Sequence, residues 1–121
     1  MNFKYNIETN DGHGLIELSG ILIAPNQTTS LIEEVEEVVL EGIHNLVVDL
    51  SGIESMNSTG LNVLISILTK ARNAGGEAIV TKVPDKVNEL MVITKLNTVF
   101  TVSDSVEDAV ALLNKEKQTW L

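Results

Sequence analysis

A chain of 121 residues with 44% hydrophobic content has the length of one domain and enough apolar material for a single core, and its two prolines argue against disorder. Its 17 acidic residues against 8 basic ones leave a formal charge of −9, which repels phosphate backbones and anionic lipid. No nucleic-acid or membrane binding is therefore expected, and a partner with a basic surface is favoured. Cysteine is absent, which excludes disulfides, Cys-ligated zinc and thiol nucleophiles. The first five residues carry no signal-peptide pattern and no apolar run has membrane-spanning length, so a cytoplasmic setting is expected.

From Phe3 to Glu8 apolar and polar residues alternate, with Phe3, Tyr5 and Ile7 on one side and Lys4, Asn6 and Glu8 on the other. Thr9-Asn10-Asp11-Gly12 is turn chemistry, and Gly14–Ser19 reads as the returning strand of an antiparallel hairpin. The apolar stretch Ile21-Leu22-Ile23-Ala24 either extends that strand or crosses the edge of the core. A helix is expected from Asn26, with Leu31, Ile32, Val35, Val38 and Val39 inward, a run of glutamates outward and Gly42 at its C′ position. Leu46–Leu50 is a buried strand, and Ser51-Gly52 reads as a turn. A long apolar-periodic helix then runs to Ala74 and stops at Gly75-Gly76.

Glu77–Val83 is the next expected strand, followed by a short helix opened by Pro84 and carrying Val87, Leu90, Met91 and Ile93 inward. Val99–Val102 is a short strand. Ser103 or Asp104 is expected to cap a last helix, with Glu107 completing a capping box from Asp104. In that helix Val106, Ala109, Val110 and Leu113 face inward, Lys115 and Lys117 suit its end, and Trp120 falls in a tail. Hairpin, three αβ units and a terminal helix make one α/β domain over residues 1–121, with a core of about 3–114. The sheet should be mixed, an antiparallel N-terminal hairpin joined to parallel strands, with about four helices on one or both faces.

Asn57, Ser58 and Thr59 fall between the central strand and the long helix, at the positive end of a helix dipole. In the simplest account Asn57 or Ser58 caps that helix. At about 3.6 residues per turn, Ser58 aligns with Asn62, Ser66, Thr69 and Asn73, opposite Leu61, Leu64, Leu68 and Ala71. Val63, Ile67 and Ala74 widen the apolar arc, and Ile65 lies at the edge of the polar side. Ser58 is therefore expected to face solvent, with Thr59 nearer the apolar margin at Val63.

Asp49-Leu50-Ser51 followed by Met56-Asn57-Ser58-Thr59-Gly60-Leu61 resembles the signature of the STAS family, and in particular of bacterial anti-sigma factor antagonists. Their usual wording is a strand ending in D-L-S, then M-D-S-[ST]-G-L at a helix start. Asn57 stands where that wording has aspartate, and Ile21 and Ile23 stand where many members carry the acidic residues of G-E-x-D. The resemblance implies a compact STAS fold, no catalysis and no cofactor. It implies a switch in which Ser58, and less readily Thr59, is phosphorylated by a serine kinase that is also the anti-sigma factor. A serine phosphatase would reset it. The partner surface is expected at Asn57, Ser58, Thr59, Asn62 and Ile65, with Asp49 and Gly60 shaping the loop and the chain a monomer or weak dimer.

Other chemistries find little support. His13 and His44 lack a partner at metal-ligand spacing and read as surface residues, so no metal site is expected. Gly75-Gly76 is followed by no Walker lysine and reads as a helix stop. Asp49 has only Glu54 near it in sequence, and no serine lies in a G-x-S-x-G elbow, so an αβ enzyme is not supported. A STAS-like scaffold or ligand-sensing module, with Ser58 only a cap, remains the alternative to a phosphorylation switch.

Overall fold

Alternation in the central strand decides which helix goes where. The structure, a computed structural model, describes residues 3–10 and 12–118, without the side chains of residues 25 and 115–118. Asp11 of the expected turn, the Lys115 and Lys117 side chains and Trp120 lie outside what is described. The elements are β1 (Phe3–Asn10), β2 (His13–Leu22), α1 (Thr29–Leu40), β3 (Asn45–Met56), α2 (Ser58–Asn73), β4 (Glu77–Thr81), α3 (Asp85–Ile93), β5 (Thr101–Ser103) and α4 (Val106–Gln118). They form one five-stranded sheet in the order β1-β2-β3-β4-β5. β1 and β2 pair antiparallel, and every later neighbour is parallel.

Each crossover from β2 onward steps one strand in the same direction, and crossovers of one hand place α1, α2 and α3 on the same face. Leu46, Val48 and Leu50 of β3 point to that face. There they join Leu31 and Val35 of α1, Leu61, Leu64, Ile67 and Leu68 of α2, and Val87 and Met91 of α3 in the main core. Val47 of β3 points the other way and meets Ile79, Ala109 and Leu113 in a smaller core beneath α4. Full burial of each Leu, Ile or Val contributes about 1.5–3 kcal/mol, so the face holding three helices dominates stability.

Several boundaries differ from expectation, each for a local reason. No turn forms at Ser51-Gly52: β3 runs on to Met56, and its register with β2 shifts twice, between Glu17 and Ser19 and between Gly20 and Ile21. β3 carries the extra residue at each shift, the signature of a bulge. Gly52 suits the first, since a Cβ there would lie 2.6 Å from the Ser19 Cβ. Ile21 and Leu22 extend β2. The first helix opens at Thr29, after a single 3-10 turn at Pro25–Gln27. The Gln27 side chain reverses the chain here: its Oε1 accepts the Ile23 and Ala24 N–H groups at 3.1 and 2.8 Å, and its Nε2 donates to the Ile21 carbonyl at 3.0 Å.

β4 stops at Thr81 because Lys82 takes a left-handed φ of 53°. Ile93 is 77% exposed: α3 ends there, and Leu96 N–H bonds back to the Met91 carbonyl. β5 begins at Thr101, since Val99 N–H is taken by the Leu96 carbonyl. At α4 neither Ser103 nor Asp104 caps; the Ser105 hydroxyl accepts the Asp108 N–H at 3.1 Å. That places Ser105 three residues before the N–H it satisfies, the spacing of an N-cap.

Candidate functional site

β3 delivers the chain to Met56, and the next residue does two jobs. Asn57 is extended (φ −121°, ψ −166°), and its Oδ1 accepts the Thr59 N–H at 2.9 Å, so Asn57 is the cap of α2. Its Nδ2 donates to the Ile23 carbonyl at 3.2 Å, tying the end of β2 to the start of α2. Ser58 is therefore the first helical residue and not the cap. It is exposed, and its hydroxyl makes no hydrogen bond to any described residue.

Gly60 lets the helix begin so close to the strand ends. A Cβ there would collide with the Met56 side chain and lie 3.1 Å from the Leu22 carbonyl oxygen. It is a packing position within the first turn of α2, not a loop residue. Seven residues of α2 from Gly60 to Ala71 are buried, which pins the helix axis to the sheet and leaves one face for contact. On that face Asn62 is exposed, while Thr59 and Ile65 are half-buried, and Ile65 packs against the main core. Thr59, Asn62, Val63 and Ser66 line a shallow groove of about 240 Å³ shared with Thr28, which precedes α1, and with Ile32 of α1.

The structure thus brings Asn57, Ser58, Thr59, Asn62 and Ile65 onto the first turns of α2 and separates Asp49 from them. Asp49 is not at a strand end. It is buried inside β3, where its carboxylate accepts the Ser51 N–H at 2.8 Å across the bulge and lies 3.7 Å from Lys82 Nζ.

In the sequence Ile23 stood out only as a departure from the acidic G-E-x-D pattern, and Gln27 did not stand out. Ile23 is 45% exposed beside Asn57, and both of its backbone polar groups are held by side chains, N–H by Gln27 and carbonyl by Asn57. The amide identity of residues 27 and 57 was the available signal, because an amide can accept with one atom and donate with the other, as a carboxylate cannot.

The STAS domain profile matches residues 4–109. BtrV of Bordetella bronchiseptica, a candidate anti-sigma factor antagonist, is 27% identical over 108 residues, which is 89% of this chain and 92% of BtrV. TM1081 of Thermotoga maritima, another candidate anti-sigma factor antagonist, superposes with a TM-score of 0.81 at 20% identity, covering 91% of this chain and 94% of its own. The Bacillus anti-sigma factor antagonist SpoIIAA, in its unphosphorylated form, superposes with a TM-score of 0.69 at 13% identity, over 89% and 94% of the two chains. Its phosphorylated form gives 0.70 at 12% identity, over 89% and 97%.

Proposed function

The chain belongs to the STAS domain family, and from that premise we propose that it is an anti-sigma factor antagonist switched by phosphorylation of Ser58. In its unphosphorylated form it binds an anti-sigma factor that is also a serine kinase, through Asn57, Ser58, Thr59, Asn62 and Ile65. Phosphate on Ser58 ends that binding, and a serine phosphatase restores it. The protein itself performs no catalysis and needs no cofactor; it acts in the cytoplasm as a single domain. Among the described residues no helix is long and apolar enough to cross a membrane.

One observation carries this reading. Asn57 already caps α2, so the exposed Ser58 hydroxyl at the helix N-terminus is engaged by none of the described residues. The reading of Ser58 as only a cap has no capping bond to rest on. SpoIIAA, which shares this fold, is described in both phosphorylated and unphosphorylated forms, which supports the same switch here.

The energetics favour release. A phosphate at a helix N-terminus gains about 0.3–1 kcal/mol from the dipole, so the fold tolerates it. Enclosing the same dianion in a partly apolar interface without a basic partner costs several kcal/mol. The interface term is larger, and the partner leaves.

Incubation with the partner kinase and ATP, followed by mapping of the phosphosite by mass spectrometry, tests the assignment. Phosphate is expected on Ser58, and a group found mainly on Thr59 overturns it. Calorimetric titration should find Ser58→Ala binding constitutively and Ser58→Asp binding at least about tenfold more weakly, a difference of about 1.4 kcal/mol. Equal affinities for the two variants would remove the switch.

A further inference from the structure

We propose that the free edge of β1 is a self-association surface, on which a second copy of this chain adds its own β1 antiparallel about a two-fold axis through Asn6. The two edges of the sheet are unlike. β5 is three residues long, and a short edge strand is a common protection against unwanted pairing. β1 is eight residues long, has no proline, and keeps an unbroken register with β2 along its length. It has neither the bulge nor the shortness that blunts an edge.

The direction of its backbone groups follows from that register. Asn10 and His13 pair across the two-residue connection, and the Ser19 hydroxyl donates to the Lys4 carbonyl from the β2 side at 3.5 Å. Residues Lys4, Asn6, Glu8 and Asn10 therefore turn their N–H and C=O groups towards β2. Phe3, Tyr5, Ile7 and Thr9 turn theirs outward, where no described element pairs with them.

Symmetry then restricts the docking register. A two-fold axis perpendicular to the sheet keeps like faces together, and side chains alternate along a strand, so the axis must pass through a residue. Through Asn6 it sets Lys4 against Glu8 of the second copy, and Glu8 against Lys4. Tyr5 then faces Ile7, and Phe3 faces Thr9. Through Tyr5 it sets Lys4 against Asn6, and through Ile7 it sets Glu8 against Asn6, so neither alternative pairs the charges. Lys4, Asn6 and Glu8 are all exposed, on the sheet face that α4 leaves open because it packs on β3, β4 and β5.

Opposing this contact is the charge of −9 on each copy, with Glu34 of α1 near the Tyr5 hydroxyl. The dimer is accordingly weak and concentration-dependent. At about 0.15 M salt the Debye length is about 8 Å, which screens the distant repulsion more than the contact pairs. Ser58 opens α2 beside the ends of β2 and β3, and none of the residues paired across β1 belongs to the proposed switch surface, so this inference stands or falls apart from the proposed function.

Sedimentation velocity of the full chain over roughly 10 µM to 1 mM should show a reversible monomer–dimer equilibrium, the range where edge contacts smaller than a standard interface act. Lys4→Glu and Glu8→Lys each place like charges opposite one another and should each weaken self-association by about tenfold. Mixed together, these two variants should heterodimerise, because each then faces its opposite charge. Ile7→Pro removes an outward N–H that the monomer does not use, and should abolish the dimer while leaving the circular dichroism spectrum native. If that variant fails to fold, the charge variants at exposed Lys4 and Glu8 still decide the matter. A wild type that stays monomeric at every concentration overturns the proposal. So does a dimer indifferent to both charge variants, or a mixture that associates no better than either alone.

Discussion

Asn57 shows how much one side chain can determine. Its amide caps α2 with one atom and holds the Ile23 carbonyl with the other, and an aspartate could do only the first. Asn57→Asp should lose a hydrogen bond of about 0.5–1.5 kcal/mol and gain about 0.3–1 kcal/mol of dipole attraction. Its urea midpoint should therefore stay close to wild type, with a modest change in phosphorylation rate. Asn57→Ala loses both bonds and should cost about 1–2 kcal/mol. Equal midpoints for the two variants would show that the cap on Thr59, which only the aspartate keeps, carries no stability.

Tyr5 supplies a pH prediction at the same scale. The nearby Glu34 carboxylate favours the protonated hydroxyl and raises the phenol above its ordinary value near 10.0, with burial adding to the effect. A raised value means the folded state holds the proton more tightly. The stabilisation is fully present below about pH 10 and is lost as pH rises through the folded value. Urea unfolding from neutral pH to about pH 11 should show a steeper alkaline decline for wild type than for Tyr5→Phe.

At the scale of elements, α2 is bounded by two glycines with different roles. Gly75 has a φ of +90° and closes the helix, with Gly75 N–H on the Arg72 carbonyl and Gly76 N–H on the Ala71 carbonyl. Gly75→Ala should cost about 1–2 kcal/mol from the left-handed backbone alone, since nothing lies within 4 Å of its added Cβ. Gly60→Ala overpacks against Met56 and the Leu22 carbonyl and should cost about 1–3 kcal/mol. It should also shift the first turn of α2 and weaken partner binding, which Gly75→Ala should not. Calorimetric titration of both variants separates the two effects. Along the helix, Ile67→Ala empties a fully buried position and should cost about 2–5 kcal/mol. Ile65→Ala, half-buried, should cost less stability and lower partner affinity.

For the molecule as a whole, the two cores are unequal and α4 holds the smaller one. Val47 and Ile79 are fully covered only because Ala109 and Leu113 lie over them. Truncation after Asp104 should expose that pair and replace the cooperative thermal transition with a broad one, followed by calorimetry and dye binding. A sharp, unshifted transition would mean that the three-helix face is sufficient for a stable fold.

Much of this organisation was legible from residue order. Period-two alternation in β1, the apolar run of β3, the 3.6-residue pattern of α2 and the glycines at 42 and 75 each report a local preference that the fold did not override. Ser58 was readable as solvent-facing because its neighbours along the helix fix which side is apolar. The continuation of β3 through Ser51-Gly52 was not legible, because a Ser-Gly pair signals a turn unless a neighbouring strand supplies bulged pairing partners, which β2 does. Which residue caps α2, and that its amide also reaches Ile23 thirty-four residues away, depends on where two distant segments meet. The placement of α4 on the opposite face from α1–α3 was likewise left open, because an amphipathic helix shows which side is buried but not against which surface. That choice belongs to topology: one strand offers Val47 to one face and Val48 to the other, and only the assembled sheet decides which helix covers each.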